Sequence, residues 1–220
     1  MQDDIPGTRR DFLGLAAFAA AAGVGAALPA AQAQAATEPS TDFTRWLDSI
    51  PGRHRQLYDM ADVNGGFGLA WSWVFLTTGA KGYGVPESDL GVVVILRHDS
   101  LPLAFNDSVW AKYKLGELLH IEDPETKAPA VRNPYWLKPG ALPLPEAGIQ
   151  KLIERGVKFA VCNMAITFRS GMVAKKLGLK HEEVMKAWLD AVYPGMTVVP
   201  SGVLAINGAV SRGCVYVFAG

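Results

Sequence analysis

The sequence predicts a three-layer α/β fold, in which a mostly parallel sheet lies between helices on both faces. Short apolar segments of strand length alternate along the chain with longer segments of helical pattern, and this alternation is typical of a parallel sheet. The run Leu-Gly-Val-Val-Val-Ile-Leu at residues 90–96 is apolar without alternation, as expected of a strand covered on both faces. Pairs containing glycine, proline or asparagine separate the segments.

The first half of the predicted domain holds two strands and two helices. Residues 55–63 are a strand of modest apolar content that ends at Asn64-Gly65-Gly66. Residues 67–78 are apolar on almost every side, and their length favours a helix; such a helix is buried in a core or at a subunit interface. After the strand at 90–96, residues 101–113 are predicted to be helical, with Pro102 in the first turn.

Residues 110–148 are predicted to be an ordered, proline-rich insertion. They contain six of the fourteen prolines of the chain, and their Asp-Pro, Asn-Pro and Pro-Gly pairs indicate turns. The segment also carries aromatic and aliphatic side chains that need a surface to pack on, and we therefore expect it to be part of the domain and not a linker. These side chains are Trp110, Tyr113, Ile121, Tyr135 and Trp136.

The last third of the chain has the clearest alternation. A short helix at 149–155 ends at Gly156, and a strand at 157–162 follows. The remaining elements are predicted as helices at 165–177 and 181–192, a strand at 196–199, a helix at 203–212 and a strand at 214–218.

The first residues are typical of an export signal. Arg9-Arg10 precede an apolar, alanine-rich stretch, and two A-x-A patterns end at Ala33 and Ala35. The arginine pair predicts a twin-arginine signal over residues 1–35; the alternative, a membrane anchor, needs a longer and more apolar stretch. Residues 36–53 are predicted to be a tether with one short amphipathic piece, and 54–220 to be a single domain. The expected location is therefore the periplasm.

Charge and hydropathy exclude two classes of partner. The formal net charge of the chain is zero, so nucleic acid is not an expected partner. Beyond the export signal no apolar stretch has the length of a membrane span, and we expect no stable membrane insertion. No cofactor-binding motif is recognised either, because the glycines at residues 65–68 lack the spacing of a dinucleotide or phosphate loop.

Polar side chains follow four of the predicted strands. They are Asn64, His98-Asp99, Cys162-Asn163 and Pro200-Ser201-Gly202. Because binding sites in open parallel sheets lie outside the carboxyl ends of the strands, these side chains predict a site at one edge of the sheet. Arg132, in the insertion, is a further candidate for holding an anionic ligand, with a surface turn as the alternative.

Cys162 is the strongest nucleophile among these candidates. It lies just before a predicted helix, whose amino terminus favours a thiolate, and His98 is a possible neighbour. The alternative, a buried cysteine that only packs, is common. Cys214 begins its strand and belongs at the opposite edge of a parallel sheet, so we expect two free thiols. His98, His120 and Cys162 match no known metal-ligand spacing, and no metal is expected.

The last third also resembles a known family. Residues 156–166, GVKFAVCNMAI, and 192–220, VYPGMTVVPSGVLAINGAVSRGCVYVFAG, are similar to the carboxyl half of the DsrE/DsrF-like proteins, the sulfur-relay group with the YchN-like fold. Residues 89–107, DLGVVVILRHDSLPLAFND, are similar to the second strand of that family and the helix after it. The likeness covers about residues 55–113 and 148–220. The insertion and the export signal are departures from the small cytoplasmic members.

The resemblance implies a homo-oligomer of three-layer α/β subunits, with Cys162 at the position that carries sulfur as a persulfide. We therefore expect a periplasmic sulfur-handling protein, at most a sulfurtransferase-like carrier, in which His98 and Asn163 tune the thiolate. Asn64, Asp99, Ser201 and Arg132 are the expected substrate-binding residues. The partner would be a small sulfur compound or a sulfur-carrier protein. The alternatives are a ligand- or metal-binding oligomer without sulfur transfer and a purely structural oligomer.

Overall fold

A five-stranded sheet, parallel throughout, forms the centre of the computed structural model, which describes residues 41–220. The strand order is β4-β3-β2-β1-β5. The predictions for the signal and for the start of the tether concern residues 1–40 and lie outside the described residues. The strands are β1 (His54–Met60), β2 (Leu90–Leu96), β3 (Lys158–Cys162), β4 (Met196–Val199) and β5 (Cys214–Phe218).

Eight α-helices connect or cover these strands within the described residues. They are α1 (Thr41–Asp48), α2 (Phe67–Tyr83), α3 (Asp107–Trp110), α4 (Leu115–Leu118), α5 (Ile149–Glu154), α6 (Asn163–Leu177), α7 (His181–Asp190) and α8 (Gly202–Val210). Short 3₁₀ helices occupy Asn64–Gly66, Glu87–Asp89, His98–Ala104 and Pro145–Ala147.

Side chains of the sheet alternate between two apolar cores. On one face Val92, Val94 and Leu96 of β2 pack with α2, α5, α6 and α7. On the other face Val93 and Ile95 pack with α1 and α8. All seven residues of β2 are buried, as expected for the central strand of a sheet that is covered on both sides. The predicted three-layer α/β architecture is thus confirmed.

The direction of the chain across the sheet reverses once. Strands β1 to β4 are added successively on one side of β1, and the chain then returns through α8 to place β5 on the other side. Gln56 of β1 is in register with Val92 on one side and Val215 on the other. The carboxyl ends of all five strands consequently open at the same edge, where a ligand site is expected.

The short amphipathic piece expected within residues 36–53 forms α1, which buries Trp46 and Leu47 against the sheet. One predicted segment differs from the structure. The predicted helix at 101–113 is broken. A 3₁₀ helix over His98–Ala104 contains Pro102, then Phe105 is extended, and α3 begins only after Asn106, whose side chain accepts the backbone N–H of Ser108.

Helix α2 is confirmed and extends to Tyr83, but it is not buried on all sides. Leu69 and Leu76 face the core, whereas Phe67, Trp71 and Val74 form an exposed stripe along the helix; Trp71 is 38% exposed. We call these three residues the α2 stripe. The sequence alone cannot separate a helix buried in its own domain from one with an apolar outer face, because both are apolar all round.

The proline-rich insertion is ordered and packs on the domain. Trp110, Tyr113 and Tyr135 are buried in the main core, and the ring of Trp136 stacks on Tyr193 with centroids 3.7 Å apart. The insertion also contacts the turn after β1, because a Cβ atom at Gly66 would lie 2.7 Å from the carbonyl oxygen of Pro139. The insertion therefore forms one wall of the edge where the strands end.

Residues 41–220 contain no helix long and apolar enough to cross a membrane.

Candidate functional site

A cavity of about 370 Å³ opens at the carboxyl ends of β2 and β3. We call it the thiol cavity, because Cys162 forms part of its wall. Its other walls come from the residues after β2, the first two turns of α6 and the start of α8; they include Arg97, His98, Met164, Phe168, Arg169, Ser201 and Val203. The structure thus brings together three of the predicted site residues, namely Cys162, His98 and Ser201.

Cys162 is both the last residue of β3 and the cap of α6. Its backbone is still extended (φ −71°, ψ 109°), and its Sγ accepts the backbone N–H of Ala165 at 3.3 Å. The side chain is 6% exposed, so the sulfur lies in the cavity wall and not on the open surface. Free N–H groups and the dipole at a helix amino terminus favour negative charge. The sulfur therefore lies at the amino terminus of α6, where it accepts a backbone N–H.

Arg97 and Arg169 both line this cavity, and a network of buried groups holds Arg97 in place. Its guanidinium donates two hydrogen bonds to the Asp59 carboxylate, of 2.6 and 2.8 Å. The hydroxyl of Tyr216 donates a third hydrogen bond to Asp59, at 2.9 Å. Asp59 is 1% exposed, and a buried carboxylate needs such partners to remain charged.

Arg97 interacts electrostatically with Cys162. The pKa of Arg97 is raised, first by its hydrogen bond to Asp59, and also by the negative charges of Asp59, Tyr216 and Cys162, while burial partly offsets the rise. Cys162 and Arg97 line the same cavity, and Asp59 holds the guanidinium in its wall. Arg97 thus adds a cation to the helix terminus on which the sulfur lies.

A second helix amino terminus faces the same cavity. Ser201 caps α8, with its Oγ accepting the backbone N–H of Leu204 at 3.2 Å. Gly202 follows and packs on the stem of Arg97, since a Cβ atom added there would lie 3.0 Å from Cδ of Arg97. The cavity is consequently bounded by two helix amino termini and by the guanidinium groups of Arg97 and Arg169, an arrangement that attracts anions.

His98 lies at the mouth of the cavity. It is exposed, and its φ of +50° places it in the left-handed region, where residues other than glycine are uncommon. Within residues 41–220 its imidazole makes no hydrogen bond. The ring is therefore available to a molecule that enters the cavity.

The remaining predicted residues lie elsewhere. Asn163 lines a different cavity beside α1 and β4, so it does not face the space into which Cys162 points. Arg132 is 56% exposed and pairs with Asp123 and Glu125, each at 3.3 Å, within the insertion. Asn64 and Asp99 line a third space, between the turn after β1 and the insertion. The single predicted site is thus divided among separate cavities.

Sequence reasoning missed Arg97, Asp59 and Tyr216. A usable signal existed for the first two, because Asp59 interrupts an apolar strand and Arg97 directly follows the most apolar strand of the chain. A charge inside a sheet requires a partner, and the residue that ends the neighbouring strand is within reach. Tyr216 gave no comparable signal, since a tyrosine in an edge strand is ordinary.

The second cysteine is placed as predicted. Cys214 begins β5 at the amino edge of the sheet, whereas Cys162 ends β3 at the carboxyl edge. Both are free, buried thiols in the structure. Burial raises the pKa of the Cys214 thiol, and the charge of Arg55 offsets only part of this effect. The Cys214 thiol therefore stays protonated at neutral pH.

An exposed apolar surface surrounds the cavity mouth. Met164 and Phe168 lie one turn apart on α6, and Val203 lies opposite them on α8; Phe168 is 65% exposed. We call these three residues the apolar rim. A contiguous apolar surface at the mouth of a cavity is typical of a place where another molecule docks.

No protein-family model matches the sequence, and no curated protein matches it. Across residues 41–220 no group of three or more histidine, cysteine, aspartate or glutamate side chains is placed to hold a metal ion.

Proposed function

We propose that this protein accepts and carries sulfane sulfur on Cys162, as a persulfide. The observation that carries the proposal is the position of Sγ, which caps α6, lines a small cavity and lies within the electrostatic reach of Arg97. A thiolate is the reactive form of cysteine, and a helix amino terminus with a nearby cation is the environment that favours it. The resemblance to the DsrE/DsrF-like proteins supports the same role.

The proposed step is a transfer of one sulfur atom from a persulfide or polysulfide. The Cys162 thiolate attacks the terminal sulfur of R–S–SH, a new S–S bond forms to Sγ, and the old S–S bond breaks. The group R–S⁻ leaves with the electron pair of the broken bond. The product is Cys162–S–SH, so the oxidation state of the transferred sulfur is unchanged and no further oxidant is needed.

The electrostatics of the cavity favour an anionic donor. Two helix amino termini, each contributing about 0.3–1 kcal/mol to the binding of negative charge, meet beside Arg97. The cavity volume of about 370 Å³ suits a small molecule or the end of a peptide. Inorganic polysulfide and small alkyl persulfides have both the charge and the size that the cavity accepts.

In the proposed mechanism the residue that acts beside the sulfur is Arg97, and not Asn163 as the sequence predicted. Asn163 lines another cavity, whereas Arg97 is held by Asp59 beside the sulfur. We assign to Arg97 the stabilisation of the thiolate and of the persulfide anion, and to His98 the contact with the leaving group at the cavity mouth. Ser201 serves as the cap of α8 and positions that helix terminus.

Mass spectrometry tests the proposal directly. After incubation with inorganic polysulfide, the intact protein should gain the mass of sulfur atoms in steps of about 32 Da, with the first on Cys162. Cys162→Ser should show no gain, whereas Cys214→Ser should be loaded like the wild type. An unmodified wild type, or an adduct that maps to Cys214, would show that Cys162 only packs.

A docking partner and a second copy of the chain are also part of the proposal. The apolar rim surrounds the route to Cys162, and it would receive either the small sulfur compound or the sulfur-carrier protein that exchanges sulfur with the thiol.

The α2 stripe lies on another helix, away from this mouth, and we propose that it packs in a homo-oligomer. We further propose that the chain acts in the periplasm, after export by the twin-arginine route.

In a second candidate function, the same cavity binds a ligand without forming a covalent bond to Cys162. The apolar side chains of the rim are equally suited to hold the hydrophobic part of a ligand, with Cys162 as part of the wall. The two functions predict different results in the polysulfide experiment, because a binding protein of this kind gains no covalent sulfur.

A further inference from the structure

A second and larger cleft, of about 620 Å³, lies between the turn after β1 and the insertion. The turn contributes Asp62, Val63 and Asn64, and the insertion contributes Ile121, Glu122 and Tyr135. The cleft borders the place where β5 joins the other side of β1, at which the direction of the chain across the sheet reverses. Ligands of open α/β sheets commonly bind at such a point. We call this space the acidic cleft.

Tyr135 provides an unused polar group in this cleft. Its side chain is 7% exposed, yet within residues 41–220 its hydroxyl makes no hydrogen bond. The backbone of Tyr135 is fixed, because its N–H donates to Oδ1 of Asn133 at 3.0 Å and its carbonyl accepts the N–H of Ile149 at 3.1 Å. A tyrosine that is mostly buried and held rigidly, with a hydroxyl at the wall of a cleft and no protein partner, is suited to meet a ligand.

The charges of the cleft favour a cation. Its carboxylates are those of Asp62, Asp99 and Glu122, and its only lysine is Lys127. Asp99 is already paired with Arg169, whereas Asp62 and Glu122 form no ion pair among the described residues. The three carboxylates therefore outnumber the two cationic side chains, Lys127 and Arg169, by one.

Two further features of the acidic cleft concern Tyr135 and the backbone of its walls. Asp62 faces Tyr135 closely enough for its charge to add to the effect of burial, which together raise the pKa of the tyrosine to about 12. The hydroxyl therefore stays protonated at neutral pH and can accept a hydrogen bond from an ammonium group. Asn64 and His120, on opposite walls, both have left-handed backbones, at φ of 43° and 54°. Such conformations persist only where the surrounding structure holds them.

We propose that the acidic cleft binds a small amphipathic amine. Its ammonium group would lie between the carboxylates of Asp62 and Glu122 and donate to Oη of Tyr135. Its apolar part would lie on the side chains of Val63 and Ile121, which are both buried at the floor of the cleft. This site is separate from the thiol cavity and does not depend on any reaction of Cys162.

Calorimetric titration of the full chain with 2-phenylethylamine tests the proposal. The alcohol 2-phenylethanol and the anion phenylacetate are controls of nearly the same shape. We expect saturable binding of the amine at one site per chain, and binding about tenfold weaker for the alcohol, because a charge-assisted hydrogen bond and an ion pair are lost. Phenylacetate should show no binding. Equal binding of the amine and the alcohol, or no saturable binding of the amine, would overturn the proposal.

Matched variants locate the site. Tyr135→Phe keeps the buried ring and removes only the hydroxyl, and it should weaken amine binding by about three- to tenfold. Asp62→Asn should weaken it about tenfold. Glu117→Gln, on α4 and outside the cleft, is the control and should bind as the wild type does. Unchanged binding in Tyr135→Phe would mean non-specific attraction to acidic groups and would refute the site. Cys162→Ser should bind the amine normally, so the result is independent of sulfur transfer.

Discussion

The guanidinium of Arg97 and the carboxylate of Asp59 form a two-point hydrogen bond between adjacent strands, at 2.6 and 2.8 Å. Asp59 lies inside β1, and Arg97 follows β2 directly. The pair is almost completely removed from solvent, with side-chain exposures of 2% for Asp59 and 17% for Arg97. It thus fixes a positive charge beside Cys162 from within the sheet.

Removing only one member of this pair should be strongly destabilising. We expect Arg97→Met to lower the free energy of unfolding by about 3–5 kcal/mol, because a buried carboxylate is left with only the Tyr216 hydroxyl. Urea denaturation measures this change. The double variant Asp59→Leu/Arg97→Met should recover most of the loss, since it buries no unpaired charge. Arg45→Met, in an exposed pair on α1, is the control. A stable single variant would contradict the assignment.

Gly202 should tolerate no larger side chain. A Cβ atom there would lie 3.0 Å from Cδ of Arg97, whose guanidinium is held at its other end by Asp59. We therefore expect Gly202→Ala to cost about 1–3 kcal/mol through overpacking. It should also slow the alkylation of Cys162 in a thiol-reactivity assay, since Arg97 is displaced. Gly82→Ala in α2, where a Cβ atom meets nothing within 4 Å, should instead stabilise by about 0.5–1 kcal/mol. Equal effects of the two substitutions would exclude this contact.

Alkaline pH should destabilise the fold through Tyr58. Burial raises the pKa of Tyr58 to about 12, and its hydroxyl donates to the carbonyl of Trp71 at 3.1 Å. The unfolded chain therefore loses this proton first, so stability is complete below pH ~10 and decreases as the pH rises toward ~12. The contribution of this group is about 2 kcal/mol. Tyr58→Phe should lessen the decrease in stability between these pH values in urea titrations. An identical decrease in the variant would exclude Tyr58 as its source.

The α2 stripe should mediate self-association. Its three apolar side chains lie on one exposed line of the helix, and a contiguous exposed apolar surface is typical of an interface between subunits. We expect light scattering at micromolar concentration to give the mass of an oligomer. Trp71→Glu should shift this mass toward the monomer, whereas Lys186→Glu, at an exposed position on α7, should leave it unchanged. A monomeric wild type would contradict the expectation.

Export should depend on the arginine pair. Replacing Arg9 and Arg10 with lysine should leave uncleaved precursor in the cytoplasm, because a twin-arginine signal is read through these two side chains. Cell fractionation with detection of the precursor and mature forms measures this. The amino terminus of the exported form should begin at Gln34 or Ala36. Unimpaired export of the lysine variant would show that another route is used.

The sequence predicted the strands more accurately than the site. The apolar run at 90–96 and the segment before Cys162 became β2 and β3 almost residue for residue, because buried parallel strands have a local signature. The segment at 214–218 likewise became β5, although Val215 and Tyr216 of this edge strand are exposed. The break after Ala104 was not predictable from apolar spacing. It depends on Phe105 leaving the helix to form an isolated bridge with Val192, a contact between residues far apart in the chain.

The site was predicted in part. The rule that strand ends meet at one edge correctly joined Cys162, His98 and Ser201. The rule gives no direction for a side chain, and Asn163, the residue next to Cys162, lines a different cavity. Arg132 was a plausible anion ligand by residue type, but its charge is already used by Asp123 and Glu125. Such assignments depend on partners that only the tertiary structure reveals.

The pairing of β1 with β5 has a consequence for how the chain folds. The side chain of Gln56 donates to the carbonyl of Val215, 159 residues further along. Contacts between residues so far apart slow folding, because a long stretch of chain must be ordered before they form. Until Cys214–Phe218 has been synthesised, β1 lacks one neighbour and Asp59 lacks the Tyr216 hydroxyl. The sheet, and the charge network behind Cys162, are therefore completed only after Cys214–Phe218 has left the ribosome.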